Sequence, residues 1–183
     1  MAREAVLRKQ VRVFLDTNVL IEAFRIGIWP IIGQNFSLET VEKCIEEALT
    51  GDPGSRGYVR IDPKRLKGGL HCIHRVDKLM LSDLMISHPY CAGLDDGELH
   101  LFAWLYAKAR NGSDQLLIST ADKAAIYAAN QLAWLDSVVS LQELASSAGV
   151  NRRQTNLLAA HHKTKWLENL KTTIRLTPNA KLH

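Results

Sequence analysis

Short β-branched apolar runs alternate along the chain with longer stretches whose apolar positions recur at helical spacing. Val11-Arg12-Val13-Phe14-Leu15 predicts a buried strand, and Asp16-Thr17-Asn18 supplies a polar turn and a cap for a helix over Val19–Phe24. Ser37 is expected to cap a second helix running to about Leu49 and stopped by Thr50-Gly51-Asp52-Pro53-Gly54. Residues 51–71 carry Gly51, Pro53, Gly54, Gly57, Pro63, Gly68 and Gly69, which predicts a long basic loop with a short hairpin near Tyr58–Ile61. Helices are expected over Val76–Ile86 and over Leu99–Arg110, the latter opened by Asp95-Asp96-Gly97-Glu98 and closed by Asn111-Gly112. Gln115–Ser119 is the second clear strand, followed by an alanine-rich helix over Lys123–Leu132. A short strand near Ser137–Val139, a helix over Ser140–Ser147 and a final basic helix over about Asn151–Leu170 complete the chain. The alternation implies an α/β fold with a central parallel sheet and helices on both faces.

In such sheets the site lies outside the carboxyl ends of the strands. Both convincing strands end in a polar turn with an aspartate, Asp16 after Val-Phe-Leu and Asp122 after Leu-Ile-Ser-Thr-Ala. On neighbouring parallel strands the two carboxylates meet at one edge of the sheet. They repel there unless one is protonated or a cation lies between them, and a hard divalent ion such as Mg²⁺ or Mn²⁺ suits such oxygen ligands. An aspartate between strand and helix is also an ordinary cap. Glu98 adds a third acidic source, with Asp96 in reserve, although Asp95 and Glu98 also have the spacing of a capping box. Asn18, Thr17 and Thr120 are placed to orient carboxylates or water by hydrogen bonds.

Composition narrows the class. The 183 residues are 46% hydrophobic and 23% charged, a globular balance. No run of apolar residues is long enough to span a membrane, and the amino terminus lacks the apolar core of a secretory signal. Three cysteines at no repeated spacing suit a reducing, cytoplasmic setting. The net charge of +4 is unevenly spread: residues 1–150 are net −2, whereas residues 151–183 are net +6. A second basic cluster holds Arg56, Arg60, Lys64, Arg65, Lys67, Arg75 and Lys78. Such cations permit binding of a phosphate backbone, with Arg60, Lys64, Arg65, Lys67, Arg152 and Arg153 the expected contacts, but a solvated basic surface reads the same way.

Val13-Phe14-Leu15-Asp16-Thr17-Asn18-Val19-Leu20 resembles the first motif of the PIN-domain ribonucleases, which include toxins of the virulence-associated toxin–antitoxin type. Leu117-Ile118-Ser119-Thr120-Ala121-Asp122 is similar to the family's hydrophobic strand followed by Thr-x-Asp, and Leu94-Asp95-Asp96-Gly97-Glu98 looks like a subgroup with glutamate at the third acidic position. The resemblance covers residues 11–145. It implies a three-layer α/β/α domain over 1–150, here followed by a basic helical extension over 151–183. It further implies Mg²⁺- or Mn²⁺-dependent cleavage of RNA by Asp16, Glu98 and Asp122, joined by a glutamate on the second helix. Glu42, 26 positions after Asp16, falls where that glutamate usually lies, with Glu39 as the alternative; Glu46 and Glu47 are expected on a solvated face. In the toxin branch the resemblance implies a homodimer silenced by an antitoxin.

Other readings are poorer. A PIN-like module that binds RNA or protein without cleaving is the main alternative. A phosphatase of the haloacid dehalogenase kind would need an aspartate where Asn18 stands. His71-Cys72-Ile73-His74 lacks the second cysteine pair of a zinc site, and His161-His162 on a helix would point about 100° apart. Phosphate-binding glycine loops and a serine-hydrolase elbow are absent. Trp104 and Trp134 read as core, and Trp166 as exposed.

Overall fold

The computed structural model describes residues 11–51, 53–54, 57–109 and 116–177. The expected features at Met1–Glu4, Asp52, Arg56, Arg110–Gly112, Gln115 and Lys181 lie outside these residues. Four parallel strands form one sheet in the order β3-β2-β1-β4: β1 Arg12–Leu15, β2 Ser37–Val41, β3 Cys72–His74 and β4 Leu116–Ser119. Val13, Phe14 and Leu15 are all fully buried, and successive residues of a strand point to opposite faces, so both faces of the sheet are covered. The expected α/β class and parallel sheet are therefore present.

The chain joins β1 to β2 through α1 (Thr17–Arg25) and α2 (Trp29–Asn35), and β2 to β3 through α3 (Glu42–Leu49) and α4 (Pro63–Gly68). It then returns through α5 (Lys78–Ser87), a 3₁₀ turn at Pro89–Gly93 and α6 (Asp96–Ala109) to β4 on the other side of β1. The strand order therefore reverses between β1 and β4, and a crevice opens at their carboxyl ends. Beyond β4 lie α7 (Lys123–Gln131), a 3₁₀ turn at Leu135–Ser137, α8 (Leu141–Ser147), α9 (Arg152–Asn156), a 3₁₀ turn at Ala160–His162 and α10 (Thr164–Leu176).

Several expectations are corrected. Ser37–Val41 is a strand rather than the first turn of a helix, and α3 begins only at Glu42. The charge at Glu39 disguises a strand buried on both faces, because Arg12 and His74 on the flanking strands satisfy its carboxylate. The loop expected over 51–71 is only partly a loop. Asp62 accepts from the Arg65 amide at 2.8 Å and caps α4, Pro63 opens it, and no hairpin forms at Tyr58–Ile61. Gly69 follows α4 because the Trp29 indole, which donates to the Arg65 carbonyl at 3.0 Å, fills the space a Cβ would take.

The single carboxy-terminal helix expected over Asn151–Leu170 is interrupted. Groups on α1 take over backbone partners in the break: the Ala159 amide donates to Glu22 Oε1 at 2.7 Å, and Arg25 donates to the Leu157 carbonyl at 2.6 Å. Gln154 likewise donates to the Ile26 carbonyl. Leu158, Leu167, Leu170 and Ile174 join the same core as the sheet. The 3₁₀ geometry also brings the His161 and His162 rings to 4.5 Å, which the helical spacing did not anticipate. The strand expected near Ser137–Val139 is reduced to one parallel bridge, Ile118 to Val138.

Candidate functional site: an acidic cleft at the strand ends

β1 and β4 pair in register through Leu15 and Ser119, and the Asp16 amide donates to the Ser119 carbonyl at 3.1 Å. Asp16 and Asp122 thus leave adjacent strand ends. Thr120 ties them together: its hydroxyl donates to Asp16 Oδ2 at 3.1 Å and accepts from the Asp122 amide at 3.2 Å. Both aspartates also cap helices. Asp16 Oδ1 accepts from the Thr17 amide at 2.6 Å, and Asp122 Oδ1 accepts from Ala124 at 2.6 Å and Ala125 at 3.1 Å. Capping and convergence are therefore compatible. The caps occupy one oxygen of each carboxylate and fix its direction.

A cleft of about 440 Å³ opens above β1, lined by Asp16, Thr17, Asn18, Glu47, Leu94, Asp95, Asp96 and Glu98. Asp122 does not line it, but its charge acts on both Asp16 and Glu98. Asp16 is 1% exposed and Glu98 3% exposed. Burial pushes the Asp16 carboxyl up to about 7 against the opposing hydrogen bonds from Thr120 and Thr17, with Asp122 and Glu47 raising it further. Burial pushes Glu98 up to about 9, and the charges of Asp16, Asp122 and Asp95 add to the effect. The Asp95 amide faces the Glu98 carboxyl, half of the expected capping box, yet Glu98 Oε1 is buried with no hydrogen-bond partner among the described residues. An ionised carboxylate in that position is costly unless a cation or a proton accompanies it.

Glu42 does not reach this site. It is exposed in the first turn of α3, which begins four residues later than a helix capped by Ser37 would. Glu39 is also elsewhere, inside the sheet and held by Arg12 and His74. The acidic side chain that α3 delivers to the cleft is Glu47, not expected there from the sequence. Thr17 Oγ1 donates to Glu47 Oε2 at 2.7 Å, and the Gly97 amide donates to Glu47 Oε1 at 2.9 Å. A Cβ on residue 97 would collide with both the Glu47 carboxylate and the Thr17 hydroxyl. Gly97 therefore leaves room at the start of α6 for the Glu47 carboxylate and the Thr17 hydroxyl. The helical phase carries a trace of this: Glu47 lies three residues after buried Cys44, at the edge of the apolar stripe of Cys44, Ile45 and Ala48.

The remaining expected residues are placed as follows. Asn18 is exposed on the first turn of α1 and lines the cleft. Asp96 is exposed at the rim, where Lys43 Nζ lies 3.6 Å from it. Arg60, Lys64, Arg65, Lys67, Arg152 and Arg153 are all exposed. Trp104 is buried as expected, but Trp166 is half-buried with its ring against His161, not exposed.

The polar side chains at the cleft are carboxylates with the Thr17 hydroxyl and the Asn18 amide, and their oxygens suit hard divalent cations in preference to soft ones. Among the described residues no helix is long and apolar enough to cross a membrane. No protein-family model, curated protein or solved structure matches the chain.

Proposed function

We propose that the chain is a PIN-like endoribonuclease that uses Mg²⁺ or Mn²⁺, with Asp16, Glu98 and Asp122 holding the ion and Glu47 completing the acidic ring in place of Glu42. What supports this reading above all is that Asp16, Glu47 and Glu98 line one cleft outside the carboxyl ends of the strands, with the charge of Asp122 acting on Asp16 and Glu98 and a buried Glu98 oxygen that has no partner among the described residues. The motif resemblance over residues 11–145 points the same way. When bound, a divalent ion in such a site activates water and stabilises the charge that develops on a phosphate during in-line displacement.

The chain's own residues supply the positioning. Thr120 and the Thr17 amide hold Asp16 in one orientation. Thr17 and Gly97 do the same for Glu47. Asn18, exposed at the mouth, offers an amide to a phosphate or a water. The exposed cations on and near α4 and at the start of α9 neutralise backbone phosphates, a contact that positions RNA without reading its sequence.

The test is cleavage of single-stranded and structured RNA by purified protein with Mn²⁺, set beside Asp16→Ala prepared identically. The proposal expects cleavage by the wild type, none without the metal, and a loss of at least a hundredfold in the variant. Equal activity in both preparations would reveal a contaminant and remove the catalytic claim. RNA binding by the wild type with no cleavage would favour the non-catalytic module.

A further inference from the structure

Away from the cleft, β3 carries Cys72 and His74 two residues apart, hence on one face of the sheet, with Glu39 of β2 in register opposite Cys72. His74 Nε2 lies 2.6 Å from Glu39 Oε2, and His74 Nδ1 lies 3.5 Å from Cys72 Sγ. Burial alone would raise the Glu39 carboxyl, but the hydrogen bonds from His74 and Arg12 hold it down at about 2, so it is a carboxylate at neutral pH. A carboxylate only accepts. Nε2 therefore donates to Glu39, which leaves Nδ1 as the ring nitrogen that faces the thiol and can take its proton. The ring is held in this orientation by Trp104, stacked at 3.8 Å, with Phe14 at 5.9 Å.

Thiol, imidazole and carboxylate thus stand in line, with a nucleophile in reach of a base and the base oriented by a third group. The same three side chains offer ligand atoms within 4.8 Å of one another, but a cation there would have to compete with the Arg12 guanidinium, bound to Glu39 at 2.7 and 3.0 Å. The nucleophilic arrangement needs no such displacement. The other cysteines contrast with Cys72. Cys44 and Cys91 are fully buried, and burial pushes their thiols up to about 12 and about 11. Cys72 is only partly covered, on the strand at the edge of the sheet.

We propose that Cys72 is a reactive thiol and a site of covalent modification by small disulfides, with His74 as its base and Glu39 as the positioning residue. His74 Nδ1 takes the proton from Cys72 Sγ, and the sulfur attacks one sulfur of the disulfide. A new S–S bond forms, the old one breaks, and the departing sulfur leaves as a thiolate that takes the proton from His74. The products are a mixed disulfide on Cys72 and one free small thiol; the disulfide itself is the oxidant.

The test incubates the folded full chain at pH 7 with oxidised glutathione and, in parallel, with iodoacetamide, and locates the adducts by peptide mass spectrometry. Cys72 is expected to react at least tenfold faster than N-acetylcysteine with both probes, while Cys44 and Cys91 stay unmodified until urea is added. His74→Gln should slow Cys72 at least tenfold and Glu39→Gln by a few fold. Continued protection of Cys44 and Cys91 in each variant reports that it is still folded. Reaction of wild-type Cys72 no faster than N-acetylcysteine would overturn the proposal, a comparison that needs no variant. So would a folded His74→Gln protein that reacts as fast as the wild type.

Discussion

Glu47 and Gly97 set the geometry of the acidic cleft between them, one by offering both carboxylate oxygens and the other by having no side chain to block them. Glu47→Gln is expected to lower Mn²⁺-dependent RNA cleavage at least tenfold, whereas Glu42→Gln should stay within twofold of the wild type; initial rates on one RNA decide between them. Gly97→Ala should lower the activity, because the added methyl displaces the Glu47 carboxylate and the Thr17 hydroxyl from their places in the cleft. Asp16, Asp122 and Glu98 were legible in the sequence because each follows a strand or opens a helix, where position along the chain fixes position in space. Glu47 was not, since it lies at the edge of the apolar stripe of Cys44, Ile45 and Ala48, where the local pattern does not separate a cleft residue from a solvated one. The spacing of 26 positions from Asp16 that the resemblance implies points to Glu42 instead.

At the scale of elements, the carboxy-terminal segment is fastened to the rest by polar contacts that sequence spacing does not reveal. Glu22 and Arg25 of α1 satisfy backbone groups at Leu157 and Ala159, and Lys171 of α10 donates to the Val138 carbonyl at 2.7 Å. Leu167 is 1% exposed in the common core, so Leu167→Ala should cost about 2–5 kcal/mol, measured by urea unfolding of the full chain. A loss below about 0.5 kcal/mol would mean that α10 contributes little to the core. Strands β1 and β4 were readable from their apolar runs, and helices after residue 76 from the polar residues that cap them, as with Asp77 before α5 and Ser140 before α8. β2 and the break before α10 were not. In both, a charged side chain from a distant element neutralises what looks locally unfavourable, and local pattern carries no record of it.

For the whole molecule, strand order places the cleft and burial places an electrostatic load on it. Glu98 has a folded-state value of about 9, well above that of an unfolded carboxyl. The native state therefore keeps a proton that the unfolded chain releases, and stability without metal falls as pH rises from about 4.5 towards 9. Glu98→Gln removes this dependence, so its melting temperature should exceed that of the wild type by a margin that widens with pH. A constant margin across that range would place the proton elsewhere. Glu39 acts in the opposite window: its depressed value adds stability above about 4.5 that is lost as pH falls towards 2. The most direct test of the acidic cleft as a cation site is the melting temperature at pH 8 with and without Mn²⁺, for the wild type, Glu98→Gln and Asp122→Asn. A clear rise with Mn²⁺ in the wild type, with little or none in either variant, is the expected result; an equal rise in all three proteins would contradict it.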